Sequence, residues 1–590
     1  MPPQRNTKKE KPKDTKGTLL RILRYITNYR YALILTLVLC LVSNILSLLG
    51  PSLAGNAIAE AEAGVGMVNF SRVYYYAKLM LLFYVTSSLL TLLINFLMMN
   101  IGRRIACQMR TDVFSKLMPL PVGYFDRNAA GDISSRVTYD IDELRTCLCT
   151  DIVQIMTSLV TVIGSLIMMI YICPILVLAV AVTIPLSIGY TRYMGKRTRP
   201  LFSRRSAAYG KMNGYVEEMF SGQKTILAYA QEERTLGKFD AINEEASEAF
   251  YWANYYGMTI GPTVGSINNL GLALVGMFGS ILYLKEIVTL KHISSFILYS
   301  RKFSGPINEI SNIINEIYSA LAAAERVFKL LDENEEVHDI ENAVELTDVK
   351  GDVELKNVSF GYVPGKTIIH NFNLKADPGS LVAIVGPTGA GKTTIINLLM
   401  RFYDVDSGES FVDGHEIRTL TRESLRHSYA MVLQDTWLFK GTIYENIAYG
   451  KEGATLEEVI AVAKAAKIHH YIMQLPKGYD TVIGEDGDNI SKGQKQLLTI
   501  ARAMLYDSKM LILDEATSNV DTGTERQIQA AMRKLMAGKT CFVIAHRLST
   551  IQNADKILVV DHGNIVEQGN HAELMAKKGF YYKLYASQFE

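Results

Sequence analysis

The run ALILTLVLCLVSNILSLLG, beginning at Ala32, carries no charged side chain and, wound into a helix, is about as long as a bilayer core is thick. Hydrocarbon offers no water to an unpaired N–H or C=O, so such a run must pair its own backbone, which a helix does. Comparable runs recur at about Val73 to Met99, at DIVQIMTSLVTVIGSLIMMIYI from Asp151, at ILVLAVAVTIPLSIGY from Ile175 directly after Pro174, at TIGPTVGSINNLGLALVGMFGSILYL from Thr259, and at ISSFILYS from Ile293. The pattern predicts an α-helical polytopic transmembrane domain of six spans over residues 17–330, in a cell membrane.

Arg301, Lys302 and Glu309 interrupt the sixth segment. Charge inside a membrane is costly and usually faces a bundle interior or a watery cavity. Two readings stand: Arg301 and Lys302 mark a helix end at the interface, or Arg301, Lys302, Glu309 and Asn315 line a substrate cavity.

Lys and Arg are dense before the first span and in residues 101–145 and 192–240, whereas residues 55–72 hold only Arg72. The positive-inside rule then puts both termini in the cytoplasm. Residues 1–16 read as a solvated basic tail, and GTLLRILRYITNYR after them has the apolar face and arginines of an interfacial helix. No cleavable signal pattern precedes the first span. The net charge of +2 gives no argument for nucleic acid as a partner. The six cysteines lack metal-site or disulfide spacing, and Cys147 and Cys149 read as incidental small apolar residues.

An acidic stretch, residues 331–350, reads as a linker to a second domain over 351–590, where short β runs alternate with helices. LVAIVG from Leu381 reads as a buried strand running into GPTGAGKT, which opens the helix TTIINLLMRF. That context gives weight to the spacing G-x-x-x-x-G-K-T, met by Gly386, Gly391, Lys392 and Thr393. The loop Gly386, Pro387, Thr388, Gly389, Ala390, Gly391, with Lys392, Thr393 and Thr394 on the helix, is read as phosphate-binding. Glycines let the backbone wrap the phosphates, Lys392 reaches the β and γ phosphates, and Thr393 offers its hydroxyl to Mg2+. A second buried strand, Met510 to Leu513, ends in Asp514, suited to the Mg2+ shell, and Glu515, suited to polarising an attacking water. The second domain is thus an α/β P-loop NTPase.

With these motifs the chain resembles the ABC transporters, in particular exporter-type half-transporters with six spans before one ATPase domain. The resemblance makes the nucleotide ATP and implies further roles. Tyr362 in FGY stacks on adenine, and Gln434 in VLQD senses Mg2+, water and the membrane domain. Ile490 to Gln494, ISKGQ, is the signature loop, whose Ser491, Gly493 and Gln494 reach a γ-phosphate; Asp521 ends the D-loop, and His546 is the switch histidine. Spacing alone makes the long inner stretches ordinary solvated helical loops. The resemblance makes YFDRNAAGDISSR and EEMFSGQKTI loops with coupling helices that press on ATPase domains, near Glu485.

Family members sandwich two ATP molecules between two ATPase domains, so the resemblance implies a second half-transporter and ATP-driven export of a small hydrophobic or amphipathic substrate by alternating access. An exporter-shaped importer and an ATP-gated regulatory protein without net pumping are the alternatives. Ile490 and Lys492 depart from the family's L-S-G-G-Q. That departure favours a heterodimer over a homodimer. Lys492 itself is either a tolerated solvent-facing side chain or a tuner of the partner's ATP site.

Overall fold

The computed structural model describes residues 14–62, 67–434, 436–484, 489–515, 521–545 and 551–587, without the side chains of 307–312, 315, 515 and 545. They form two compact units. One takes the residues up to Pro119 and Asn128–Asn334; the other takes Leu120–Arg127 and everything from Glu335.

The first unit is helical. Its helices are α1 (Thr15–Thr27), α2 (Arg30–Ala61), α3 (Phe70–Leu117), α5 (Ala130–Ser135), α6 (Ile141–Thr146), α7 (Ile152–Ile172), α8 (Pro174–Ser221), α9 (Gln223–Ala228), α10 (Glu232–Leu284) and α11 (Leu290–Leu331); the short α4 (Val122–Arg127) belongs to the other unit. Among the described residues five helical stretches are long and apolar enough to cross a membrane: α2, α3, Ala130–Ile172, α8 and α10. Two of them, α3 and α8, have 48 residues each, about 70 Å at 1.5 Å per residue and more than twice what a bilayer core needs. Their far ends are the polar stretches that spacing alone reads as loops.

Small polar residues join these helices, as in bilayer packing where no hydrophobic force draws helix to helix. Ser43 Oγ donates to Ser87 O at 3.0 Å and Ser87 Oγ donates back to Ser43 O at 2.9 Å, tying α2 to α3. Cys149 fills the space over Gly102, where an added Cβ would lie 2.1 Å from its Sγ. The N-terminal helix α1 is capped by Asp14 and fixed to the same unit by Tyr25, whose hydroxyl donates to Asp112 at 2.7 Å.

Helix α11 runs unbroken through Arg301 and Lys302, so these residues do not mark a helix end. It lies outside the set of five, although its 42 residues are ample for a crossing.

The second unit is built on two sheets. An antiparallel sheet has the order β2 (Ile369–Ala376), β1 (Val353–Phe360), β4 (Ser407–Val412), β5 (His415–Glu416). A six-stranded sheet runs β12 (Asn564–Gly569), β11 (Lys556–Asp561), β3 (Leu381–Val385), β10 (Thr540–Ala545), β9 (Met510–Glu515), β6 (Tyr429–Val432), parallel except for β12. Between β6 and β9 lie a short antiparallel pair, β7 (Gly441–Thr442) with β8 (Val482–Ile483), and the helices α14 (Ile443–Ala448), α15 (Leu456–Ala465) and α16 (His469–Gln474); α13 (Arg422–His427) precedes β6. Alternate residues of the inner strands of the larger sheet enter opposite cores: Ala383, Leu511, Leu513 and Val543 on one side, Val382, Ile384, Ile512 and Phe542 on the other. A strand covered on both faces must be apolar at every position, which is why these segments read as continuous hydrophobic runs.

The acidic stretch that follows α11 is fastened to this unit. Arg422 donates to Val337 O at 2.5 Å and to Asp339 at 3.0 Å, and Arg426 pairs with Glu336. Arg401 and Arg422 are only 5% and 9% exposed, so each needs these carboxylates and Asp404 as counter-charges.

Candidate functional site

Parallel strands converge at their C-terminal ends, and in such sheets the crevice beyond those ends is where ligands bind. Register fixes which ends meet. Ile544 of β10 pairs with Ile384 of β3 on one side and with Asp514 of β9 on the other. Asp514 therefore lies about 10 Å across the sheet from the start of the glycine loop, two strand spacings away.

From β3 the chain passes through Gly386, Pro387, Thr388, Gly389 and Ala390 to Gly391, which caps α12 (Lys392–Leu399) in the left-handed conformation. Positive φ at Gly389 (+83°) and Gly391 (+103°) lets the loop wind tightly enough to cradle an anion. At Gly386 the constraint is steric, since a Cβ there would lie 2.1 Å from Val560 O. Lys392 Nζ donates to Gly386 O at 2.8 Å and to Pro387 O at 2.9 Å, spanning the loop's mouth. Burial pulls its pKa below the ordinary lysine value, and the Asp514 carboxylate opposes that shift. The loop, the lysine and the carboxylate thus share one electrostatic site. Thr393 is exposed on the same helix, and Thr394, next in the chain, is buried.

Tyr362 stands beside α12. Its hydroxyl donates to Thr394 Oγ1 at 3.3 Å and accepts from Asn397 Nδ2 at 3.0 Å. Tyr403 meets the Tyr362 ring edge-on at 4.9 Å, and its hydroxyl donates to Asp126 of α4 at 2.5 Å. Burial, and then the hydrogen bond to Asp126, push the Tyr403 hydroxyl above its usual range. Sequence reasoning missed Tyr403 and Asn397, and took in Asp126 only as part of the loop YFDRNAAGDISSR. The contact joins residues 277 positions apart, so no local pattern signals it.

Gln434 is exposed two residues beyond β6. Ser491 caps α17 (Lys492–Tyr506): its Oγ accepts from Gln494 N at 3.3 Å while the Gln494 side chain accepts from Ser491 N at 3.0 Å. That reciprocal box leaves the serine O–H proton available to an anion. Gly493 is buried and Lys492 is exposed in the first turn. Asp521 caps α18 (Thr522–Met536), accepting from Thr524 N at 2.9 Å, a bond that holds its carboxyl below the usual range. The backbone of Glu515 ends β9 opposite Ala545. Its side chain, those of Glu309 and Asn315, and the whole of His546 and Glu485 lie outside the described residues.

Comparison with known proteins bears on both units. Residues 33–307 match the ABC transporter transmembrane region and residues 369–518 the ABC transporter family. The uncharacterized ABC transporter ATP-binding protein YfiC of Bacillus subtilis is 43% identical over 583 residues, covering 99% of this chain and 96% of that protein. A fatty acid ABC transporter ATP-binding/permease protein of Mycobacterium bovis is 43% identical over 534 residues, 90% of this chain and 84% of its own. Among solved structures, a bacterial Atm1-family ABC exporter with ATP bound aligns at a TM-score of 0.75 and 28% identity, over 95% of this chain and 98% of that one. The chain belongs to the ABC transporters, as an exporter-type half-transporter whose helical membrane domain is fused to a domain that binds ATP and couples its hydrolysis to transport.

Proposed function

We propose that this chain, paired with a second half-transporter, exports an amphipathic, lipid-like substrate across the cell membrane by alternating access. The observation that carries the reading is the convergence of glycine loop, Lys392 and Asp514 at the C-terminal ends of β3 and β9, in a chain whose described residues also hold five membrane-length helices. The name of the Mycobacterium bovis relative, a fatty acid transporter, supports an amphipathic cargo. The distribution of Lys and Arg supports cytoplasmic termini, and α11 supplies the sixth crossing.

In this reading the loop from Gly386 to Gly391, with Lys392, Thr393 and Thr394, takes the ATP phosphates, and Tyr362 takes the adenine. The hydroxyl of Thr393, the Asp514 carboxylate and the Gln434 amide oxygen are an all-oxygen set, which suits a hard divalent cation such as Mg2+. Mg2+ would neutralise charge developing on the transferred phosphoryl group. Glu515 orients the attacking water, His546 contacts the γ-phosphate, and Ser491, Gly493, Gln494 and Asp521 serve the ATP bound by the other chain. The departures at Ile490 and Lys492 favour a different half-transporter as that chain.

The test is vanadate-sensitive ATPase coupled to uphill movement of a fluorescent fatty acid into inside-out vesicles. Movement only down its gradient would sink the pump. A monodisperse homodimer with full ATPase activity, purified from this chain alone, would sink the heterodimer.

A further inference from the structure

Helix α2 carries Pro51 in its interior. Proline has no N–H, so the carbonyl four residues earlier, on Ser47, has no helical donor, and the ring crowds that turn. In a bilayer such a carbonyl must find another donor, from a neighbouring helix, a Ser or Thr side chain, a water or a local adjustment of the helix.

Helix α11 supplies it. Lys302 Nζ donates to Ser47 O at 2.5 Å and to Ser47 Oγ at 2.7 Å. Two more donors lie on the same face of α11, at the spacing of one helical stripe. Tyr299 Oη donates to Leu48 O at 2.6 Å, and Ser295 Oγ donates to Pro51 O at 3.1 Å. The close approach depends on glycine, since a Cβ on Gly55 would lie 2.0 Å from Ser295 Oγ and 2.9 Å from Lys291 O. On the other side Gly50 admits Tyr84 of α3, whose ring centre is 5.7 Å from the Lys302 ammonium. Among the described residues Lys302 makes no ion pair. Its hydrogen bonds there are all with the broken turn of α2.

We propose that Lys302 is a positioning residue: its ammonium replaces the N–H that Pro51 removes, and with Tyr299 and Ser295 it clasps α2 to α11 at the break. This takes Lys302 out of the substrate-lining set. A substrate ligand would be indifferent to what stands at position 51, whereas a surrogate donor is needed only while proline stands there.

The experiment compares Lys302→Met, Pro51→Ala and the double variant of the full chain, in its membrane complex reconstituted into phosphatidylethanolamine–phosphatidylglycerol vesicles. Lys302→Met is expected to lower the maximal vanadate-sensitive ATPase rate by about tenfold and the thermal midpoint with it, the cost of one orphaned carbonyl, with KM for ATP within about twofold. Pro51→Ala should stay within about twofold of the unaltered protein, because the introduced alanine brings its own N–H to the Ser47 carbonyl. The double variant should recover to the same level for the same reason. A double variant as impaired as Lys302→Met overturns the proposal, and so does Lys302→Met with unaltered rate and midpoint. If Lys302→Met cannot be recovered from membranes, the double variant decides: monodisperse protein in normal yield supports the clasp, and its loss overturns it.

Discussion

Helices α4 and α9 are each six residues long and each follows one of the 48-residue helices, yet α4 buries Gly123 and Tyr124 within the ATPase unit whereas α9 buries none of its residues. The chain builds a socket for the first from Tyr403, which touches Gly123 and holds Asp126. Around the second it leaves apolar side chains in the open: Leu227 is 58% exposed, and Phe220 and Tyr229 more than 70%. An apolar group of that size left in water is unusual unless something covers it. The difference teaches that one short helix is provided for by its own chain and the other is left uncovered by it, and the second half-transporter of the proposed dimer would bring a surface for it.

Breaking the α9 side of the comparison should have the largest effect. Leu227→Asp removes about 2 kcal/mol of apolar burial from the proposed contact, so ATPase activity of the assembled transporter should fall by more than about tenfold. The thermal midpoint of the chain alone should hold, because α9 buries nothing there. Activity unchanged in the complex would remove the proposed role of α9.

The α4 side should respond more gently. Tyr403→Phe keeps the ring against Tyr362 and deletes only the bond to Asp126, worth about 1 kcal/mol. Asp126→Asn, whose amide oxygen still accepts, should cost less. Differential scanning calorimetry would read both. Tyr403 titrates above its unfolded value, so its contribution is fully present below about pH 10 and is lost as pH rises through the folded value. The gap between Tyr403→Phe and the unaltered protein should therefore stay constant from neutral pH to about pH 9. A gap that closes near neutrality would assign the bond to another group.

The smallest change is expected from Lys492→Gly. The ammonium is exposed in the first turn of α17, where it opposes the helix dipole by about 0.3 to 1 kcal/mol, so stability should shift by no more than that. ATP occlusion at the site shared with the partner should change, while the site built on Lys392 stays as it was. Equal effects on both sites would end that division of labour.

Hydropathy made the long helices legible, since a bilayer-length apolar run has one way to pair its backbone. The glycine loop and Asp514 were legible too, because strand, loop and helix follow one another within the motif itself. Neither Pro51 nor Lys302 was readable in its role. A lysine in an apolar segment reads as a charge in search of a cavity, and only the crossing of α2 and α11 shows the carbonyl it serves. For YFDRNAAGDISSR the resemblance supplied contact with an ATPase domain, but not the partner, Tyr403, which lies far along the chain. Local patterns specify local pairing, and these contacts are made by topology.

The fastening of Glu336 and Asp339 to Arg401, Arg422 and Arg426 bears on how the protein can be cut. An ATPase fragment begun at residue 351, where the first recognisable strand approaches, would leave two nearly buried guanidinium groups short of counter-charge, a defect that typically costs several kcal/mol. A fragment begun at Glu335 keeps them paired.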